Sequence, residues 1–130
     1  MVITMAKANT VASRKAKSRR LQNWAAEQIA NLLECEWGKD CTVAPREMGQ
    51  SGTDVRLIGD AQTQFPYSVE CKNQETWAIP AWIRQAKDNQ KDSTDWLLVC
   101  KRNNEKPVIV MDAEAFFRLL KENRNGKEED

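Results

Sequence analysis

The chain has 130 residues, a formal net charge of +1, 30% charged and 41% hydrophobic residues, the balance of one globular domain rather than of a disordered chain. It contains no histidine, which excludes Ser-His-Asp and Cys-His catalysis, HNH-type chemistry and His-ligated zinc hydrolases. No apolar run approaches the roughly 20 residues of a membrane span, and no glycine-rich phosphate loop of the GxxxxGKS/T or GxGxxG type occurs. The N-terminus has no apolar core followed by a cleavage site, so secretion is not expected. Cys35, Cys41, Cys71 and Cys100 form no CxxC pair. They are expected as reduced thiols in a cytoplasmic protein, with a four-cysteine zinc site a poor fit to the spacing. Any chemistry then rests on carboxylates, lysine and a hard metal ion held by oxygen.

In chain order, residues 1–17 read as a flexible basic arm, since Lys7, Arg14, Lys15, Lys17, Arg19 and Arg20 precede the first acid, Glu27. Such an arm is either a solvated tail or a device for phosphate backbones. Leu21, Trp24, Ala25, Gln28, Ile29, Leu32 and Leu33 fall at helical spacing and predict a helix over 18–35, with Ser18 as its cap. "CTVAPREM" predicts a short strand in which Pro45 demands an edge or a bend. "GQSGT" is a turn, "DVRLIG" a strand, "DAQTQFP" a loop and "YSVECKN" the next strand. Pro80 suits the start of a helix over "AWIRQAKDNQKD". "DWLLVCKR" is a buried strand, "NNEK" a turn, "PVIVMD" the last strand, and "AEAFFRLLKEN" a closing amphipathic helix capped by Asp112. The order α-β-β-β-α-β-β-α predicts an α/β fold in which helices cover a mixed sheet. One domain is expected over residues 18–122, with a polar tail over 123–130.

Side chains alternate along a strand, so in "SVECKN" Glu70 and Lys72 share one face and Val69 and Cys71 the other. A plain ion pair would explain a lone E-x-K. Asp54, however, begins the preceding strand, and a short hairpin can set it beside Glu70. Two neighbouring carboxylates repel unless a cation lies between them. Mg²⁺ is the natural candidate, with Mn²⁺ as a substitute, because it prefers carboxylates, waters and phosphate oxygens. Lys72 would then orient or deprotonate a water, a set suited to phosphodiester hydrolysis.

Asp54 followed by Glu70-Cys71-Lys72 resembles the D-x(n)-[D/E]-x-K signature of the PD-(D/E)XK nuclease superfamily, over about residues 18–120. The resemblance implies a restriction-endonuclease-like core, whose element order matches the one read above. It also implies site roles for Glu27 in the first helix and Gln85 in the helix after the E-x-K strand, and a metal contact from the Cys71 main-chain carbonyl. Thr53 stands where the signature has proline. "SRRLQNWAAEQ" and "GQSGTD" are similar to Holliday junction resolvases and small phage-encoded nucleases. That likeness implies a metal-dependent DNA endonuclease, a four-way junction as substrate, a homodimer and a role in recombination. The alternatives are a nuclease acting on linear, nicked or single-stranded DNA, and a non-catalytic DNA-binding module on the same fold.

Other residues carry two readings each. Arg19 and Arg20 close the basic arm. Arg84, Lys87 and Lys91 share a helical face that is either solvated or a stripe for DNA phosphates. Arg46 and Arg56 flank the proposed site, and Arg56 is a candidate partner for a carboxylate. Ser51, beside Gly52, either lets DNA approach or only makes a turn. Of the tryptophans, Trp24 and Trp96 are expected in the core, and Trp77 and Trp82 more as core than as DNA contacts.

Overall fold

The computed structural model describes residues 10–47 and 49–129. The elements are helix α1 (Val11–Leu33), strands β1 (Val43–Pro45) and β2 (Val55–Leu57), the short helix α2 (Asp60–Gln64), strand β3 (Tyr67–Asn73), helix α3 (Ile79–Asp88), strands β4 (Asp95–Lys101) and β5 (Val108–Met111), and helix α4 (Ala113–Glu129). The expected α/β order is present, with α2 added where a loop was predicted.

Helix α1 starts at Val11, not Ser18. Residues 11–17, VASRKAK, contain no glycine or proline, and the Thr10 hydroxyl accepts a hydrogen bond from the Ser13 amide at 3.1 Å. The helix therefore takes in the basic residues read as an arm. The part of that arm over residues 1–9 lies outside the described residues. The helix ends at Glu34, whose φ of 56° is left-handed and whose amide reaches the carbonyls of Ala30 and Asn31.

The buried side of α1 consists of Leu21, Ala25, Ala26, Ile29 and Ala30. Three alanines let the helix lie close over Val43, Val55, Leu57, Val69, Cys71 and Val99. The stripe is thus turned from the expected one, and Trp24, Gln28 and Leu32 are exposed. On the far side of the sheet Trp82 and Ala86 of α3 pack on Trp96, Leu98 and Cys100 of β4. Trp82 and Trp96 are core, as expected.

Strands β3 and β4 run parallel, linked by the crossover through α3, and β5 adds antiparallel to β4. Strands β1 and β2 form a separate antiparallel pair, with Pro45 opposite Val55 on the outer strand. The two sheets meet at Asp54. Its amide donates to the Val69 carbonyl at 2.9 Å, and its carboxylate, rather than a carbonyl, accepts from the Cys71 amide at 2.8 Å. That substitution interrupts the ladder and turns the Asp54 side chain toward β3.

Helix α3 ends at Asp88, four residues short of the expected end. The Lys91 amide donates instead to the Ser68 hydroxyl at 2.9 Å, and Ser93 adopts a φ of 64°. Helix α4 is capped by Asp112 as expected, its Oδ2 accepting from the Ala115 amide at 3.1 Å. It runs on to Glu129 through most of the segment read as a polar tail. Among the described residues only Ala115 of α4 is buried.

Candidate active site

Two buried acids meet where the sheets join. Asp54 is 5% exposed and Glu70 is 2% exposed. Asp54 follows a turn in which Gly49 and Gly52 take φ of 82° and 106°, a region that favours glycine. Thr53, in the position where proline is common, donates its hydroxyl to the Val55 carbonyl at 3.0 Å. The Asp54 carboxylate is held at both oxygens, by the Cys71 amide on Oδ2 and by Arg46 on Oδ1 at 3.3 Å. Arg46 also donates to the Gly52 carbonyl at 3.0 Å, and Arg19 donates to the Arg46 carbonyl. Arg19 and Arg46 thus come together beside Asp54.

Glu70 points to the α3 side of the sheet, where its Oε1 accepts from the Asn89 amide group at 2.9 Å. Burial raises its pKa from 4.5 to about 7, helped by the Asp54 charge and by a hydrogen bond with Asp54. The Asn89 hydrogen bond and Lys72 pull the other way. Near neutral pH Glu70 is therefore partly protonated. Lys72 is half-buried, with Nζ 6.0 Å from the centroid of the Trp82 ring. Trp82 in turn packs on Trp77 at 6.4 Å. Asp54, Glu70 and Lys72 are brought to one place, as their spacing predicts.

The remaining predicted residues are more scattered. Glu27 is exposed on α1, and among the described residues no third Asp, Glu or Cys joins Asp54 and Glu70 in a metal-ligating group. Gln85 is exposed on α3, and its carbonyl accepts the Asn89 amide at 3.0 Å. Asn89, one turn further, reaches Glu70 instead. Its signal was a polar residue at i+7 from Trp82, on the apolar stripe of the helix. Arg84 and Lys87 are exposed on α3, but Lys91 lies beyond the end of the helix, so the three share no helical face. Ser51 is exposed in the turn before Asp54 and Arg20 is exposed on α1. Among the described residues Arg56 pairs with no carboxylate; it donates to the Lys39 and Cys41 carbonyls at 2.8 and 3.0 Å.

The donor set fits a hard cation: two buried carboxylates whose mutual repulsion already shows in the Glu70 shift, with the Cys71 carbonyl directly after Glu70 in sequence. The cysteines do not fit a soft one. Burial pushes the Cys71 thiol well above its ordinary value and the Cys100 thiol up to about 11. No described cluster of three or more His, Cys, Asp or Glu side chains exists to hold zinc.

No curated protein and no solved structure matches this chain. A family model does, over residues 25–128, which include Asp54, Glu70, Lys72 and both faces of the sheet. The chain belongs to that family, described as "Phage putative PDDEXK endonuclease".

Proposed function

We propose that this protein is a Mg²⁺-dependent DNA endonuclease that hydrolyses phosphodiester bonds at branched DNA. The buried Asp54–Glu70 pair, with Lys72 two residues after Glu70 on β3, carries the reading. PD-(D/E)XK nucleases generally use divalent cations. Asp54, Glu70 and the Cys71 carbonyl would hold Mg²⁺, or Mn²⁺ in its place. Bound there, the cation supplies Lewis acidity and neutralises charge building on the scissile phosphate.

The protein's own groups do the rest. Asn89 and the Cys71 amide aim the two carboxylates. The Lys72 ammonium hydrogen-bonds the attacking water and a phosphate oxygen, supported by the Trp82 ring. The water oxygen forms the new P–O bond as the bond to the leaving sugar oxygen breaks. The water's proton passes to solvent, and the leaving oxygen is protonated in turn. Arg46, 3.3 Å from Asp54 Oδ1, stands close enough to the site to take a phosphate oxygen. Arg19, Arg20, Ser51, Arg84, Lys87 and Lys91 supply further backbone contacts. Glu27 and Gln85 are proposed to complete the site when DNA is bound.

A junction substrate favours a homodimer, because two symmetric cuts need two sites. The exposed Phe116, Phe117, Leu119 and Leu120 of α4 support that assembly. The working compartment would be the bacterial cytoplasm. No described helix is long and apolar enough to cross a membrane.

The test is cleavage of a labelled four-way junction beside linear duplex of equal length, with Mg²⁺ or Mn²⁺. Paired symmetric cuts on the junction, lost in Asp54→Ala, are expected. Cutting of the duplex alone would keep the nuclease and discard the junction. Metal-independent binding without any cutting would replace both with a DNA-binding module.

A further inference from the structure

The N-terminal half of α1 stands between two grooves. On one flank Arg14, Lys15, Arg19 and Gln22 face Arg46, beside Asp54. On the other flank Lys17, Arg20 and Trp24 face Asn73, Lys101 and Asn104. Among the described residues, this second groove is lined by three cations and by no carboxylate. It opens one residue beyond Lys72, since Asn73 forms part of its wall and donates to the Lys17 carbonyl at 3.3 Å.

Trp24 is the unusual element. Alanines take the buried side of α1, and the indole is left 40% exposed at the groove rim. An aromatic face set among cations, with asparagine amides within reach, is the arrangement that binds a nucleic-acid strand through stacked bases and neutralised phosphates. The turn that presents Asn103 and Asn104 is held in place, because the Asn103 amide donates to the Glu75 carboxylate at 3.2 Å and Asn104 sits at a φ of 62°.

We infer that this groove binds an unpaired nucleotide, its base stacked on Trp24 and its flanking phosphates on Lys17, Arg20 and Lys101. The inference rests on the nucleic-acid reading above and adds to it the part of the substrate that is single-stranded. The N-terminal half of α1 then separates that strand from the DNA at the Asp54 flank.

Fluorescence anisotropy in EDTA tests this without cleavage, using a labelled single strand and the matching duplex. Wild type is compared with Trp24→Leu, Trp24→Phe and Lys101→Gln. Trp24→Leu is expected to weaken single-strand binding about ten-fold and duplex binding less than about two-fold, while Trp24→Phe stays within about three-fold of wild type. Lys101→Gln, at a half-buried position whose ammonium donates to the Arg102 carbonyl, should weaken single-strand binding about three-fold and flatten its salt dependence by about one ion. Unchanged single-strand binding in either Trp24→Leu or Lys101→Gln overturns the inference. So does an equal loss on duplex, or a changed oligomeric state in Trp24→Leu with binding intact, since Trp24 also borders an apolar groove with Leu32 and Ile109. If Trp24→Leu does not fold, the loss of single-strand binding in Lys101→Gln decides. Selective loss of single-strand binding in a protein that never cuts DNA sinks the nuclease reading alone.

Discussion

Glu70 pays the heaviest electrostatic penalty among the described carboxylates. A fully enclosed acid beside a second acid is stable only as the neutral form or beside a cation. Its pKa of about 7 against an ordinary 4.5 fixes the sign of the pH dependence. Below about 4.5 both the folded and unfolded chains hold the proton, and no penalty exists. As pH rises from 4.5 to 7 the unfolded chain releases the proton first, so folding stability falls, and the full penalty is reached above 7. Glu70→Gln, which keeps an acceptor for Asn89, should therefore leave the folding free energy near wild type at pH 4.5 and raise stability at pH 8 by about 1–2 kcal/mol. Urea melts at the two pH values check this, and an equal effect at both would refute it. Asp54, Glu70 and Lys72 are legible in the sequence because strand alternation and a glycine turn leave few ways to arrange them. Asn89 and Arg46 are not, because their contacts depend on where α3 ends and how the turn before Asp54 folds back.

At the scale of elements, α4 is the least anchored part of the described fold. Among the described residues it buries only Ala115; it is capped by Asp112 and tied to the body by Arg118, whose guanidinium meets Asp95 at 2.9 Å. Asp112→Ala should cost about 1 kcal/mol and should speed amide exchange in α4 before it affects α1. Uniform acceleration in both helices would show instead that α4 folds as one unit with the core. The strands β3 and β4 are readable from alternation and from a continuous apolar run. The helices mislead where tertiary contacts override local pattern. Ser68 captures the Lys91 amide and stops α3 in a stretch without glycine or proline. Alanines face the sheet from α1, although the bulky residues that suggested its stripe include Trp24 and Leu32. The start of α1 was hidden because a run of lysine and arginine reads equally as an arm and as good helix former.

For the whole molecule, a net charge of +1 conceals a strong division. The cations gather on the N-terminal half of α1, with one groove opening toward Arg46 and the other beside Asn73 at the end of β3. The opposite character appears on α4, where Phe117 is 67% exposed among other apolar side chains. If that face joins two copies, Phe117→Glu should convert a dimer to a monomer in sedimentation velocity without lowering the melting temperature of the subunit. A wild type that sediments as a monomer at assay concentrations would remove the two-site picture. The central claim is that Asp54, Glu70 and Lys72 form one metal-dependent hydrolytic centre. Nicking of supercoiled plasmid with Mg²⁺ tests it most directly, in wild type, Asp54→Asn and Lys72→Met, with DNA binding measured on the same preparations. The account predicts cutting by wild type, its loss in EDTA, and at least about a hundred-fold slower cutting by both folded variants with binding retained. Cutting by either variant at the wild-type rate would contradict it.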